Sequence, residues 1–83
     1  MTQKTVHAEM AGAILSVACT AGTSFTAGQE LLVMESMKME IPVLAGVSGK
    51  VREIRVQPGS AVHAGQRVVI LDVQPFQELT HET

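Results

Sequence analysis

The chain has 83 residues, a formal net charge of −2 and 46% hydrophobic residues. That length makes one small domain, which buries only about 60% of its extended-chain surface and has a thin stability margin. With no Lys/Arg run and only Phe25 and Phe76 as aromatics, nucleic-acid binding is not expected, and no apolar run approaches the roughly 18 residues of a membrane span.

Nothing staples the fold. Cys19 is the single cysteine, so no intramolecular disulfide forms, and no Cys/His cluster has zinc spacing. His7, His63 and His81 are scattered, and no Ser-His-Asp or Cys-His set can be argued from spacing. The core must be Val, Ile, Leu, Met and Ala, a composition whose β-branched share favours strands.

Residues 1–11 are a lead-in, with a short strand over Thr5-Val6-His7-Ala8. Lys4 followed by the apolar run Ala11 to Cys19 resembles a short signal peptide ending in a lipid-modified cysteine. Glu9 interrupts it, and Ser16 stands where such a site wants Leu. The same segment is also half of an internal repeat, and cleavage would delete a strand that the other half keeps. The segment is therefore expected to stay in the fold of a cytoplasmic protein.

The repeat is gapless. A shift of 37 residues lays Gly12 on Gly49, Gly22 on Gly59 and Ala27-Gly28-Gln29 on Ala64-Gly65-Gln66. Apolar positions follow: Ile14 meets Val51, Val17 meets Ile54, Cys19 meets Val56, Phe25 meets Val62, Leu31 meets Val68 and Val33 meets Ile70. Cys19 accordingly reads as a small buried hydrophobe. Asp72 falls on Glu35, which gives both a strand-end role. Each copy reads as strand, turn, short extended piece, turn, strand. In copy one these are Ala13–Cys19, Thr20–Thr23, Ser24-Phe25, Ala27–Gln29 and Glu30–Glu35. In copy two they are Lys50–Val56, Gln57–Ser60, Ala61-Val62, Ala64–Gln66 and Arg67–Val73. Pro58-Gly59 suits a type II turn, with Gly at the positive φ. The spacing of three then two in Ile14, Val17, Cys19 and in Val51, Ile54, Val56 breaks strand period. It predicts a bulge or sheet-switching bend in both copies, and hence a curved or closed β structure.

Met39 to Leu44 reads as a further strand, with Pro42 placing it at an edge. Ala45 to Ser48 turns into copy two. The folded domain is set at residues 1–74 and a polar tail at 75–83, with Phe76 tacking the tail to the body.

The joint between the copies is Glu35-Ser36-Met37-Lys38-Met39-Glu40. The shift sets Lys38 against Met1 and Pro75, so under a pseudo-twofold axis the hairpin tip is the counterpart of the chain ends and projects from the opposite end of the domain. A tight turn at Met37-Lys38 lacks the Asn-Gly such turns recruit, as expected where function outranks propensity. Exposed methionines there form an adaptable patch for a partner. The bland alternative makes Met34, Met37 and Met39 core residues and Lys38 a solvated charge. The position of Lys38 at the symmetry joint marks it instead as the attachment point of a covalent cofactor.

These residues resemble the biotin-attachment sequence of biotinyl domains, the biotin carboxyl carrier proteins, which usually read Glu-Ala-Met-Lys-Met with Ser a common alternative to Ala. The resemblance spans residues 6 to 73 and includes Gly12, Gly22, Gly28, Gly49, Gly59 and Gly65. It implies an all-β flattened barrel, or barrel-sandwich hybrid, of two pseudo-twofold-related four-stranded halves. It further implies that a biotin protein ligase joins biotin to Lys38 as an amide. The ureido ring is then carboxylated at a biotin carboxylase and visits a carboxyltransferase. Met37 and Met39 favour biotin over lipoate, and Glu35, Ser36 and Glu40 complete the recognition sequence; by charge alone, Glu35 and Glu40 read equally as steering for a basic partner surface or as plain solvated charge. The domain itself carries no catalytic residue and no metal.

The family's Ala-Pro-Met-Pro-Gly is Ala8-Glu9-Met10-Ala11-Gly12 here, and the Ala-Pro before copy two is Ala45-Gly46. Loss of these prolines bears on partner choice more than on biotinylation. The gapless repeat leaves no room for the inserted thumb of some bacterial carriers. A lipoyl carrier is the nearest alternative, disfavoured because that family prefers Asp-Lys-Ala at the tip. An unmodified β-barrel interaction module predicts a replaceable Lys38. The acceptor is left open among acetyl-CoA, propionyl-CoA, other acyl-CoA, urea and pyruvate systems.

Overall fold

The computed structural model describes residues 2–73; the tail expected at 75–83, with Phe76, lies outside the described residues. Every described element is a strand: β1 (Thr2–His7), β2 (Gly12–Val17), β3 (Ser24–Phe25), β4 (Glu30–Ser36), β5 (Met39–Leu44), β6 (Gly49–Ile54), β7 (Ala61–Val62) and β8 (Arg67–Val73). They form two four-stranded sheets, ordered β1-β8-β6-β3 and β5-β4-β2-β7. The expected flattened, two-half β architecture is the observed one.

The shift of 37 residues maps one sheet onto the other. Thr2–His7 maps onto Met39–Leu44, and β2, β3 and β4 map onto β6, β7 and β8. The short strands trade places: β3 pairs with β6 and β7 with β2. Each copy therefore passes a strand into the sheet of the other, and neither copy closes its core alone.

The buried core follows the same pairing. Ile14 and Val51, Phe25 and Val62, Leu31 and Val68, Leu32 and Val69, and Met34 and Leu71 are all buried between the sheets. Burial of these aliphatics is the main stabilising contribution in a domain of this size.

The broken period is a bulge in each copy. The β2–β4 register shifts between Ile14 and Ser16, and the β6–β8 register shifts between Val51 and Glu53. Leu15 and Arg52 are thus the extra residues. Strand pairing stops two residues sooner than the sequence predicts, at Val17 and Ile54. Cys19 and Val56 lie beyond the strands yet still join the core, because the chain bends there toward the other sheet. Single bonds, Ala18 N–H to the Leu31 carbonyl and Arg55 N–H to the Val68 carbonyl, hold the bend.

Strand β1 starts three residues earlier than expected. Thr2, Gln3 and Lys4 carry no apolar alternation, but their backbone pairs with Val73, Asp72 and Leu71. Pro42 sits at the sheet edge, as its ring requires: β5 pairs only with β4, and no outer neighbour asks for its missing N–H. The stretch considered as a leader is strand β2, paired on both sides and burying Ile14.

The four turn glycines, Gly22, Gly28, Gly59 and Gly65, have φ between 87° and 93°. Each sits third in a turn closed by an i to i+3 bond, as in Gln57 to Ser60. This is the type II geometry expected of Pro58-Gly59, found in all four places.

Candidate functional site at the central hairpin

Strands β4 and β5 run antiparallel up to the pair Ser36 and Met39, leaving Met37-Lys38 as a two-residue loop. Met37 has φ 53° and Lys38 has φ 66°. Positive φ at both central positions is the type I′ signature, normally filled by Asn-Gly or Gly-Gly. Side chains at such φ cost about 1–3 kcal/mol each unless the surroundings over-determine them. The strain coincides with the candidate site, where the sequence offers the wrong turn residues.

Two ties at the base over-determine the hairpin. Ser36 is 7% exposed, and its hydroxyl donates a 2.7 Å hydrogen bond to the Ala11 carbonyl oxygen. Next to it, the backbone of Gly12 passes so close to β4 that a Cβ there would overlap the Glu35 carbonyl oxygen. Gly49 meets the Asp72 carbonyl in the same way in the other copy. The paired glycines are thus demanded by close backbone approach. Ser36 read as a recognition residue in the sequence; the structure gives it an anchoring role, with its side chain turned into the domain.

The remaining residues of the motif point outward. Met37 is 88% exposed and Met39 64% exposed, whereas Met34 is core. The bland reading of the methionines therefore holds for Met34 alone. Lys38 is exposed and, among the described residues, enters none of the hydrogen bonds or ion pairs. Glu35 and Glu40 lie directly opposite one another and are both exposed. Like charges so placed are mildly unfavourable in a sheet. In the other copy Asp72 faces Gln3 and is bridged by Arg52 at 3.3 Å. Leu15 holds the place of Arg52 in the repeat, so among the described residues the carboxylates below the tip enter no such ion pair.

The geometry presents one amine at a fixed height, ringed by apolar and acidic side chains. Among the described residues no group of His, Cys, Asp and Glu could hold a metal ion. Cys19 is half-buried, and burial pushes its thiol above the ordinary value, partly offset by a backbone hydrogen bond. Met10, 40% exposed in the loop before β2, is a neighbour of the site that sequence reasoning left aside. The altered Ala8-Glu9-Met10-Ala11-Gly12 stretch was the signal for it.

Comparison with known proteins agrees with this architecture. Residues 3–71 match the family described as Biotin-requiring enzyme. The chain is 41% identical over 66 residues to the biotinylated protein TB7.3 homolog of Mycobacterium leprae, covering 80% of this chain and 93% of that protein. It is 44% identical over 61 residues to the biotin/lipoyl attachment protein of Bacillus subtilis, covering 74% of this chain and 84% of that one. Among solved structures it superposes on Kluyveromyces lactis urea carboxylase with a TM-score of 0.80 at 29% identity, covering 87% of this chain and 6% of that chain. A match that takes in nearly all of β1 to β8 shows the family, and the chain belongs to the biotin/lipoyl attachment domains, the family described as Biotin-requiring enzyme.

Proposed function

We propose that Lys38 is the residue to which biotin is joined, and that the chain is the biotin carboxyl carrier of a biotin-dependent carboxylase. The observation that carries this is the exposed Lys38 at φ 66° on a two-residue tip. A hairpin strained at its lysine and tied down at its base serves presentation of that lysine better than it serves folding. The names of the relatives support biotin as the group attached.

The amide forms on the amine lone pair, and a biotin protein ligase takes up the proton that leaves. Met37 and Met39 offer the ligase two flexible apolar contacts. Glu35 and Glu40 steer a basic ligase or carboxylase surface toward the tip. When bound, biotin supplies a ureido nitrogen able to carry a carboxyl group. The chain's contribution is placement: the tether keeps that group at high effective concentration wherever the domain docks. The chain supplies no catalytic residue; biotin carboxylase and carboxyltransferase do the chemistry. Its working compartment is the cytoplasm, with β2 kept as a strand.

Intact mass after incubation with biotin, ATP and a biotin protein ligase tests the proposal. Wild type should gain one biotinyl group and Lys38→Arg none. A folded wild type that gains nothing, or a Lys38→Arg protein that gains the same group, ends it. Lipoate with its own ligase, in the same assay, separates a lipoyl carrier from an unmodified barrel.

A further inference from the structure

A cleft of about 180 Å³ opens between the edges of β1 and β5. These strands are equivalents in the repeat, so a cleft between them ought to be symmetric. It is symmetric only at two repeat pairs, Val6 with Val43 and His7 with Leu44, which all line it. Beyond those two pairs the walls are one-sided: Glu9, Met10, Met34, Ile41 and Pro42 line it. Their counterparts Gly46, Val47, Leu71, Lys4 and Thr5 do not. Lys4 stands where Ile41 stands, so a charge replaces an apolar wall on the far side. The cleft therefore runs from the pseudo-twofold centre toward Lys38.

We propose that this cleft is a resting site for the bicyclic head of biotin carried on Lys38 of the same chain. The inference rests on Lys38 being the attachment point. Reach permits it. Ile41 is three residues along β5 from Lys38, about 10 Å at about 3.3 Å per residue. Lysine and the valeryl chain set the head roughly ten bonds from the Lys38 Cα, about 12 Å when extended at about 1.25 Å per bond. Size permits it too. A closed apolar cavity of about 150 Å³ takes up benzene, so an open cleft of 180 Å³ seats a small bicycle with its tethered side toward water.

The chemistry of the walls matches the head. Met34, Ile41 and Val43 make an apolar floor. Met10 is an adaptable, polarisable flank for the thioether ring. At the rim, the Glu9 carboxylate accepts from the ureido N–H groups and a His7 ring N–H donates to the ureido oxygen. The loop that carries Glu9 is fixed at both ends. Ala8 exchanges bonds with Gln66 and Gly65, and Ala11 is held by Ser36. The site can be weak. A short tether gives an effective concentration on the order of millimolar, so millimolar affinity half-fills the cleft while a docking partner still empties it.

The test is methyl NMR of the whole chain, labelled at Met and Ile methyls, before and after ligase-catalysed biotinylation confirmed by intact mass. The Met10, Met34 and Ile41 methyls should shift and show NOEs to the biotin ring. Glu9→Ala and Ile41→Lys should still take biotin, lose those NOEs and be captured by streptavidin about twofold faster than wild type. If Ile41→Lys unfolds, Glu9→Ala at an exposed position carries the comparison alone. A chain bearing one biotinyl group with these methyls unmoved, and with equal capture rates for wild type and Glu9→Ala, overturns the resting site and leaves the carrier reading intact. No adduct on any chain removes the carrier reading, and the resting site with it.

Discussion

The Ser36 hydroxyl and the Ala11 carbonyl are joined by a 2.7 Å hydrogen bond that the other half of the molecule lacks, since Val73 and Ser48 occupy those places. The tie exists only beneath the strained tip. Ser36→Ala removes it with almost no change of volume. The expected loss is about 1 kcal/mol, the net worth of a neutral hydrogen bond, or a Tm fall of about 4–8 °C in a domain of this size. Biotinylation should slow by less than twofold, because the β4–β5 ladder and Gly12 still hold the hairpin. Thermal unfolding of the two proteins decides it; an unchanged Tm means the bond contributes nothing.

Gly12 and Gly49 make the same close approach in the two copies, but only Gly12 lies under the hairpin. A Cβ at either position meets backbone, which cannot rotate away as a side chain can. Gly12→Ala and Gly49→Ala should each cost about 1–3 kcal/mol. The functional consequences should differ. Gly12→Ala displaces β4 at Glu35 and should lower the ligase kcat/KM well beyond its effect on folding. Gly49→Ala displaces β8 at Asp72 and should leave the rate of the folded protein near wild type. Equal rate losses in the two variants would show that the hairpin is not positioned through Gly12.

Met37 sits at φ 53° with 88% of its surface exposed. Asn tolerates that conformation better than Met and leaves no core contact unfilled. Met37→Asn should therefore raise stability by about 1 kcal/mol while reducing ligase-catalysed biotinylation, because an apolar contact is lost. Denaturant midpoints and single-turnover labelling measure the two effects separately. A variant both less stable and equally well labelled would contradict the assignment of strain and of recognition together.

Much of this was legible in the sequence because the repeat is gapless. One copy's glycines and aliphatics corroborate the other's, and the bulges at Leu15 and Arg52 show as a broken period at matching places. The full length of β1 was legible too, since Thr2–His7 maps onto Met39–Leu44. It was missed because an edge strand held by backbone bonds shows no apolar alternation. The anchoring role of Ser36 was hidden for a different reason. A serine inside the motif gives no sign of its partner, and the carbonyl that Ser36 bonds lies 25 residues away. The cleft could not be read at all, because its walls come from the edges of two different sheets.

Cys19 supplies a test of the paired core. It packs against the buried cluster at the place that Val56 holds in the other copy. Burial raises its thiol pKa, so less thiolate is present at a given pH and disulfide reagents should react more slowly than with the denatured chain. The same shift fixes the sign of a pH effect. The unfolded chain loses its thiol proton first as pH rises, so the stabilising contribution is complete below the unfolded thiol pKa and is lost as pH climbs through the folded one. Cys19→Val installs the residue of the matching position and removes this titration. Wild type should lose stability on the alkaline side faster than Cys19→Val, by less than about 1.4 kcal/mol per pH unit, the limit for one proton. At neutral pH the two should agree within about 1 kcal/mol, since the exchange is between small hydrophobes at a partly buried site. Parallel alkaline profiles would mean that Cys19 is as accessible folded as unfolded, and that the core pairing stops short of the bend after β2.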